Sequence, residues 1–538
     1  MTALADYAAL RESDPAGDRD PLSVELVEDR PQAVEQVAAR VAAALPGVPL
    51  HVEAASDPAA DRYFFVDFPR IDPRGQEREI FAFARELRRE TGAAEANPVL
   101  PDSLYGVAHL AGGDESALAG CSTPRRDDLP WGWHHLLIET PAAWRMTQGQ
   151  GATIAVIDTG WSSHFELADV LARQAERNFV EGGTDARDRF SSGVMEHPGH
   201  GTLVMSVAAS RGTVGPGGGT GGPGGITGTA PAARVMPVRA IRSVVDISQR
   251  RIGPAIDHAV ASGADVVAMA LGGPMRVAAT EAALRRAVNA GAVVVCAAGN
   301  CWGPVVIPAA YAPLGICTAV AALQPDRRPW KGTCRGPQVT LSAYGEQVWG
   351  AAKNRPDDPD NGIRPAQGTT LATSMTAGVA ALWVARHGGR QALLRIARQR
   401  GTTVQAMFVH CARHGMSPPP EWGGARDLGA GVLNARMALE APLPAGTEAV
   451  PAPSEQAVST LNILQMQLLD GNESAVAELT PDMAELAPEL IWLRYRAAAR
   501  RRALEGGVEA AGIAADRPSE AAAEALERAP ALAALLGQ

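Results

Sequence analysis

Four residues in this chain have the types and settings that acyl transfer by a hydroxyl would need. Asp158 closes the apolar run ATIAVID and is followed by Thr159-Gly160, while His200 sits where a glycine-containing turn enters the helical run HGTLVMSVAAS. Asn300 closes another apolar run, AVVVCAAGN, and Thr370 lies near the head of GTTLATSMTAGVAALWVARHG. The reaction requires a base for the hydroxyl proton, a carboxylate that orients the base, and N–H donors for the developing oxyanion. Asp158 could orient, His200 could act as base and Asn300 could aim its amide. The first turn of the last segment could present a hydroxyl beside unpaired backbone N–H groups. Each residue also has a plainer reading. A strand-end aspartate is commonly a turn former or helix cap, and a lone histidine at a helix start is commonly structural. His197, three residues before His200, suggests a metal pair, but no third ligand follows at a matching spacing.

These residues need elements to carry them. From Gly151 to about Glu440 short continuous apolar runs alternate with helical segments, the pattern of strands buried on both faces of a mostly parallel sheet. Asp158 and Asn300 then fall at carboxyl ends of strands, where open α/β sheets place their sites. Ahead of this core, LSVELVE (22–28), LHVEAAS (50–56), YFFVDFP (63–69) and AEANPVLP read as strands, with helical spacing over 32–45 and 79–91. The order β-α-β-β-α-β predicts a ferredoxin-like α+β unit. Behind the core, LNILQMQLL, ELIWLRYRAAARRRALE and EAAAEALERAPALAALL predict a small helical region. The expected divisions are a tail (1–21), the ferredoxin-like unit (22–106), a linker (107–130), the α/β core (131–440), a Pro-rich linker (441–453) and the helical region (454–538). The stretch GTVGPGGGTGGPGGITG (212–228) can be parsed as G-x-G-x-x-G, but it neither follows a strand nor opens a helix and reads as a surface loop.

Composition narrows the class. At 538 residues, 46% hydrophobic and 20% charged, the chain has material for two or three folding units of globular type. A net charge of −10 without a basic block speaks against nucleic acid and membrane surfaces as partners. The first residues show no basic-then-apolar leader and no run is long enough to span a bilayer, so a cytoplasmic location is expected. Six cysteines (Cys121, Cys296, Cys301, Cys317, Cys334, Cys411) include no C-x-x-C pair and are expected to be buried free thiols.

The blocks IAVIDTG, HGTLVMSVAA, GTAPAARVMPVRAI, AAGN and GTTLATSMTAGVAAL, in this order, resemble those of the subtilisin-like serine peptidases, and GAGVLNARMALE (429–440) resembles the end of that family's catalytic domain. The resemblance covers about residues 131 to 440 and implies a three-layer subtilisin-like α/β fold. It further implies Asp158 as orienting acid, His200 as general base and later acid, and Asn300 as side-chain oxyanion donor. VVAMALGGP (266–274) resembles the segment that pairs with an extended peptide or protein substrate. The resemblance places Ala270, Leu271, Gly272, Gly273, Ala298 and Gly299 at the substrate. The N-terminal unit is similar to the family's propeptide, an intramolecular chaperone and inhibitor. No cofactor is required; structural calcium occurs in the family, but no Asp cluster here assigns it, and no metal ligand is named.

One position departs from the family. Gly368-Thr369, Ala372 and Ala377-Gly378 align without a gap to its nucleophile block, and the serine column falls on Thr370. Ser374 would point the same way, but one helical turn deeper, about 5–6 Å along the axis. Thr370 keeps a hydroxyl, yet β-branching restricts χ1 and sets a methyl beside Oγ1. Ala270, where serine is common, is a smaller departure. Two readings follow: an endopeptidase with reduced or absent activity, and a pseudopeptidase that binds peptide or protein as a regulatory module.

Overall fold

Apolar residues, alternating in part and continuous in YFFV, dominate the N-terminal strands, and the elements form where that pattern predicts. The computed structural model describes residues 2–12, 21–100, 121, 123–124, 129–191, 197–213, 226–245, 248–301, 303–445, 457–468, 472–505 and 517–538. Strands β1 (Leu22–Gln32), β2 (His51–Ala54), β3 (Asp61–Phe68) and β4 (Glu95–Val99) pair antiparallel in the order β2-β3-β1-β4. Helices Val34–Ala44 and Glu77–Thr91 make the crossovers, which completes the ferredoxin-like arrangement. One sheet face buries Leu22, Val24, Leu26, Phe64, Val66 and Phe68 against Val37, Val41, Ile80, Phe83 and Leu87. The other carries Tyr63, Phe65 and Val99, which pack on Val277, Ala278, Ala279 and Ala282 at the start of helix Ala278–Asn289. Burial on both faces explains why YFFVDF reads as a nearly continuous apolar run.

The core sheet contains β5 (Thr153–Asp158), β6 (Arg177–Asn178), β7 (Arg234–Arg239), β8 (Val266–Met269), β9 (Val293–Ala297), β10 (Thr318–Leu323) and β11 (Leu341–Tyr344). Their order is β11-β10-β9-β8-β5-β7-β6, and every pairing is parallel. The strand order reverses at β5, whose neighbours are β7 on one side and β8 on the other. Asp158, its last residue, therefore stands at the topological switch point, where such sheets leave a crevice. Helices His200–Ala209 and Thr369–Arg386 pack against each other, and a hairpin of β12 (Val348–Ala351) and β13 (Ile363–Ala366) lies over the first.

After residue 457 the described residues form helices Thr460–Leu468, Glu473–Ala477, Ala487–Glu505, Glu520–Glu527 and Pro530–Leu535. Most of the glycine-rich stretch, the linker 107–130 and the Pro-rich linker lie outside the described residues. Among the described residues no helix is long and apolar enough to cross a membrane, and no three His, Cys, Asp or Glu side chains gather as metal ligands.

The expectation of free cysteines is corrected in part. Cys121 and Cys301 are joined in a disulfide, with Cα atoms 6.2 Å apart, whereas Cys296, Cys317, Cys334 and Cys411 are free and buried. The two partners are 180 residues apart in sequence, so no local spacing announces the bond.

Candidate active site

Asp158 is fully buried at the end of β5, and His200, 4% exposed, opens helix His200–Ala209. His200 Nδ1 lies 2.7 Å from Asp158 Oδ1. Opposite a carboxylate oxygen Nδ1 is the donor, so the neutral ring carries its lone pair on Nε2, the arrangement a general base requires. Glycine makes the approach possible. Gly199, the helix N-cap, has φ +79°, and a Cβ there would lie 2.2 Å from the Lys353 carbonyl oxygen. A Cβ on Gly201 would lie 2.1 Å from the Gly160 oxygen, so the helix start rests directly on the turn after Asp158.

A hydrogen-bonded layer that sequence reasoning missed supports this pair. Thr159 donates its N–H to Asp158 Oδ1 (2.7 Å) and its hydroxyl to Asp188 Oδ2 (2.8 Å). Asp188 Oδ2 also accepts from Gly199 N–H (2.7 Å), and Gly201 N–H donates to Thr159 Oγ1 (3.1 Å). Arg239, 1% exposed, donates to the Thr159 carbonyl and is held by Glu181 through bonds of 2.8 and 2.7 Å. The Arg239 guanidinium beside Glu181 lowers that carboxyl from 4.5 to about 2, against the opposing effect of burial. Thr159 was detectable as the neighbour of Asp158. Asp188 carried no local signal.

Asn300 follows β9 and is tied to the other helix. Its Oδ1 accepts from the backbone N–H (2.9 Å) and hydroxyl (2.8 Å) of Thr369, which fixes the amide rotamer with its donor half on the opposite side. Thr369 was also missed, although it sits inside the aligned Gly368-Thr369 pair. Thr370 is in the first turn of helix Thr369–Arg386 and 2% exposed. Ser374 is fully buried, and its hydroxyl donates to the Thr370 carbonyl at 2.8 Å. That is the back-bond of a hydroxyl turned along its own helix.

The residues expected at the substrate are placed less openly. Ala270 and Leu271 are 3% and 2% exposed, and Gly272 N–H donates to the Val244 carbonyl (3.0 Å). Gly273 exchanges two hydrogen bonds with Ile307, of 2.9 and 2.8 Å. Ala298 donates its N–H to Val320, and Gly299 N–H reaches Thr369 Oγ1 at 3.3 Å. A peptide strand adding at Gly272 would have to replace the bond to Val244, because one N–H makes one strong bond.

Comparison with known proteins bears on the family of the chain. A family model described as the subtilase family, Peptidase_S8, matches residues 149–434. Mycosin-3 of Mycobacterium tuberculosis is 27% identical over 423 residues, covering 67% of this chain and 85% of that protein. Thermitase of Thermoactinomyces vulgaris is 31% identical over 251 residues, 46% of this chain and 79% of thermitase. Among solved structures, MycP1 from the ESX-1 type VII secretion system has a TM-score of 0.45 and 23% identity, covering 62% of this chain and 91% of that one.

Proposed function

The chain belongs to the subtilase family, and on that premise we propose that it is a serine-type endopeptidase by design whose turnover is held down by Thr370. In this reading Asp158 orients His200, and His200 takes the proton of Thr370 Oγ1 as it attacks the peptide carbonyl. The same imidazole then protonates the leaving amine, and Asn300 with the backbone N–H groups of the helix start receives the oxyanion. The reading rests chiefly on the buried Asp158–His200 hydrogen bond of 2.7 Å at the sheet's switch point. The threonine methyl limits the rate, since a misplacement of about 1 Å at the reacting oxygen can cost on the order of 100-fold. The substrate is a protein or peptide in extended form, and the N-terminal unit is an intramolecular chaperone or inhibitor docked on helix Ala278–Asn289.

A fluorogenic peptide assay of native protein, Thr370→Ser and His200→Ala tests this. The expected order is Thr370→Ser fastest, by on the order of 100-fold, with native at or slightly above His200→Ala. Full-rate cleavage by native protein, with no gain from serine, would remove Thr370 as the limit. The self-paired Gly272 and Gly273 favour a second reading, a pseudopeptidase that binds partners as a regulatory module. If Thr370→Ser is as inert as His200→Ala while a peptide still binds, that second reading holds.

For location, the cytoplasm is proposed for a reduced form of the chain. A Cys121–Cys301 bond persists in oxidising compartments, whereas cytosolic thiol pools keep such pairs reduced. The oxidation state of this pair in protein quenched directly from cells distinguishes the two.

A further inference from the structure

Helices beyond residue 457 touch both the N-terminal sheet unit and the α/β core, through groups that are charged and buried. Arg276, next to the start of helix Ala278–Asn289, has a side chain only 2% exposed. It donates to Glu95 of β4 (2.7 Å), to Glu281 of that helix (3.3 Å), to the Thr460 hydroxyl (2.8 Å) and to the Val458 carbonyl. The C-terminal segment answers both carboxylates. Thr460 gives Glu95 its N–H (3.0 Å) and its hydroxyl (2.7 Å), and Val458 N–H donates to Glu281 (2.9 Å).

A second junction joins the N-terminal unit to the C-terminal helices directly. Arg85 on helix Glu77–Thr91 bonds Glu489 (2.8 Å) and Ser519 (3.0 Å), and Glu489 is itself only 2% exposed. Arg88 and Arg89 grip the two oxygens of Glu485 at 2.5 and 2.7 Å. The same helices are anchored on the core. Tyr495 donates its hydroxyl to the Val305 carbonyl (2.5 Å), and Gln338 donates to the Met466 carbonyl (2.6 Å).

Removing the N-terminal unit would strip two buried charges, Glu489 and Arg276, of partners of opposite charge, which is far more costly than parting exposed ion pairs. We infer that the C-terminal helices are a clasp that keeps the N-terminal unit seated on the core as a permanent part of the molecule. A cut in the joining segment therefore does not release it. In this arrangement the N-terminal unit contributes to the resting surface of the protein instead of being discarded after folding. The inference goes beyond the peptidase reading and does not depend on whether Thr370 turns over.

The test uses the full chain with a site-specific protease sequence placed between residues 107 and 120, nicked and followed by gel filtration. Nicked native protein is expected to elute as one particle containing both fragments and to separate only in denaturant. In nicked Thr460→Val and Glu489→Gln, which change little in size and remove bonds to the buried Arg276 and Arg85, the N-terminal fragment is expected to leave about 10- to 100-fold faster. Before nicking, both variants should elute like native protein and unfold in one cooperative transition, which reports that they fold. Release from native protein as fast as from the variants would overturn the clasp, as would variants that hold the fragment as long as native protein does. Because elution is read and not cleavage, failure of the peptidase reading leaves this result intact.

Discussion

A threonine in the first turn of a helix brings its methyl wherever its hydroxyl goes. At Thr370 that methyl shares a 2%-exposed position with the proposed attacking oxygen, so geometry and not intrinsic nucleophilicity separates it from serine. Ser374, which offers the favoured residue type, spends its hydroxyl on the Thr370 carbonyl and is fully buried. Residue type therefore matters less here than helical position. The same scale governs the acid side of the site. Glu181 steadies Arg239, and its carboxyl is lowered from 4.5 to about 2 by hydrogen bonds from that guanidinium. A lowered carboxyl stabilises the fold above its unfolded value of 4.5, and the contribution disappears as pH falls through 4.5 toward 2. Urea unfolding of native protein should thus weaken between those pH values by about 1 kcal/mol or less beyond Glu181→Gln, since Glu181 is partly exposed. Parallel pH profiles for the two would detach Glu181 from the stability of this corner.

Elements set the limits within which those residues can meet. Helix Thr369–Arg386 is buried from Thr369 to Val384, and it approaches helix His200–Ala209 closely where Gly378 stands. A Cβ at Gly378 would lie 2.5 Å from Thr229 Cβ and 3.0 Å from the Ala208 oxygen. Gly378→Ala is therefore expected to overpack the contact and to lower stability by about 1–3 kcal/mol, seen as a reduced melting temperature. An unchanged melting temperature would mean that the two helices separate without cost. The alternation in residues 22–99 is another constraint at this scale. One sheet face packs on its own helices and the other on Val277, Ala278, Ala279 and Ala282. Glu25, fully buried on that second face, accepts from the first N–H groups of helix Ala278–Asn289 at 2.9 and 2.7 Å. A carboxylate suits a helix N-terminus, so β1 both fills a sheet and caps a helix of the core.

At the scale of the whole molecule, distant segments are brought together by covalent and ionic links. The Cys121–Cys301 disulfide ties a residue of the linker to the position after Asn300 across 180 residues. Oxidised protein should show four titratable thiols in non-reducing denaturant, matching the four free cysteines. Cys301→Ser should lower stability by roughly 2–4 kcal/mol. Six thiols in denatured native protein would remove the bond from the molecule. The strands, their parallel pairing and the helical C-terminus were legible in the sequence, because period and apolar run length follow from local burial. The placement of Asp158 at a strand end and of His200 at a helix start was legible for the same reason, whereas their roles came only from the resemblance. Asp188, the Thr369 brace on Asn300, the disulfide and the pairing of Gly272 with Val244 were not legible. The first three depend on partners 29, 69 and 180 residues away in sequence, and the last on a backbone hydrogen bond that leaves no mark on residue type. Residue types and local periodicity alone pointed to the candidate residues and to the elements that carry them. That the Ser374 hydroxyl is turned along its own helix, that the Gly272 donor is already committed and that Arg85 bonds Glu489 came from the folded chain, because these are contacts between groups that no local pattern encodes.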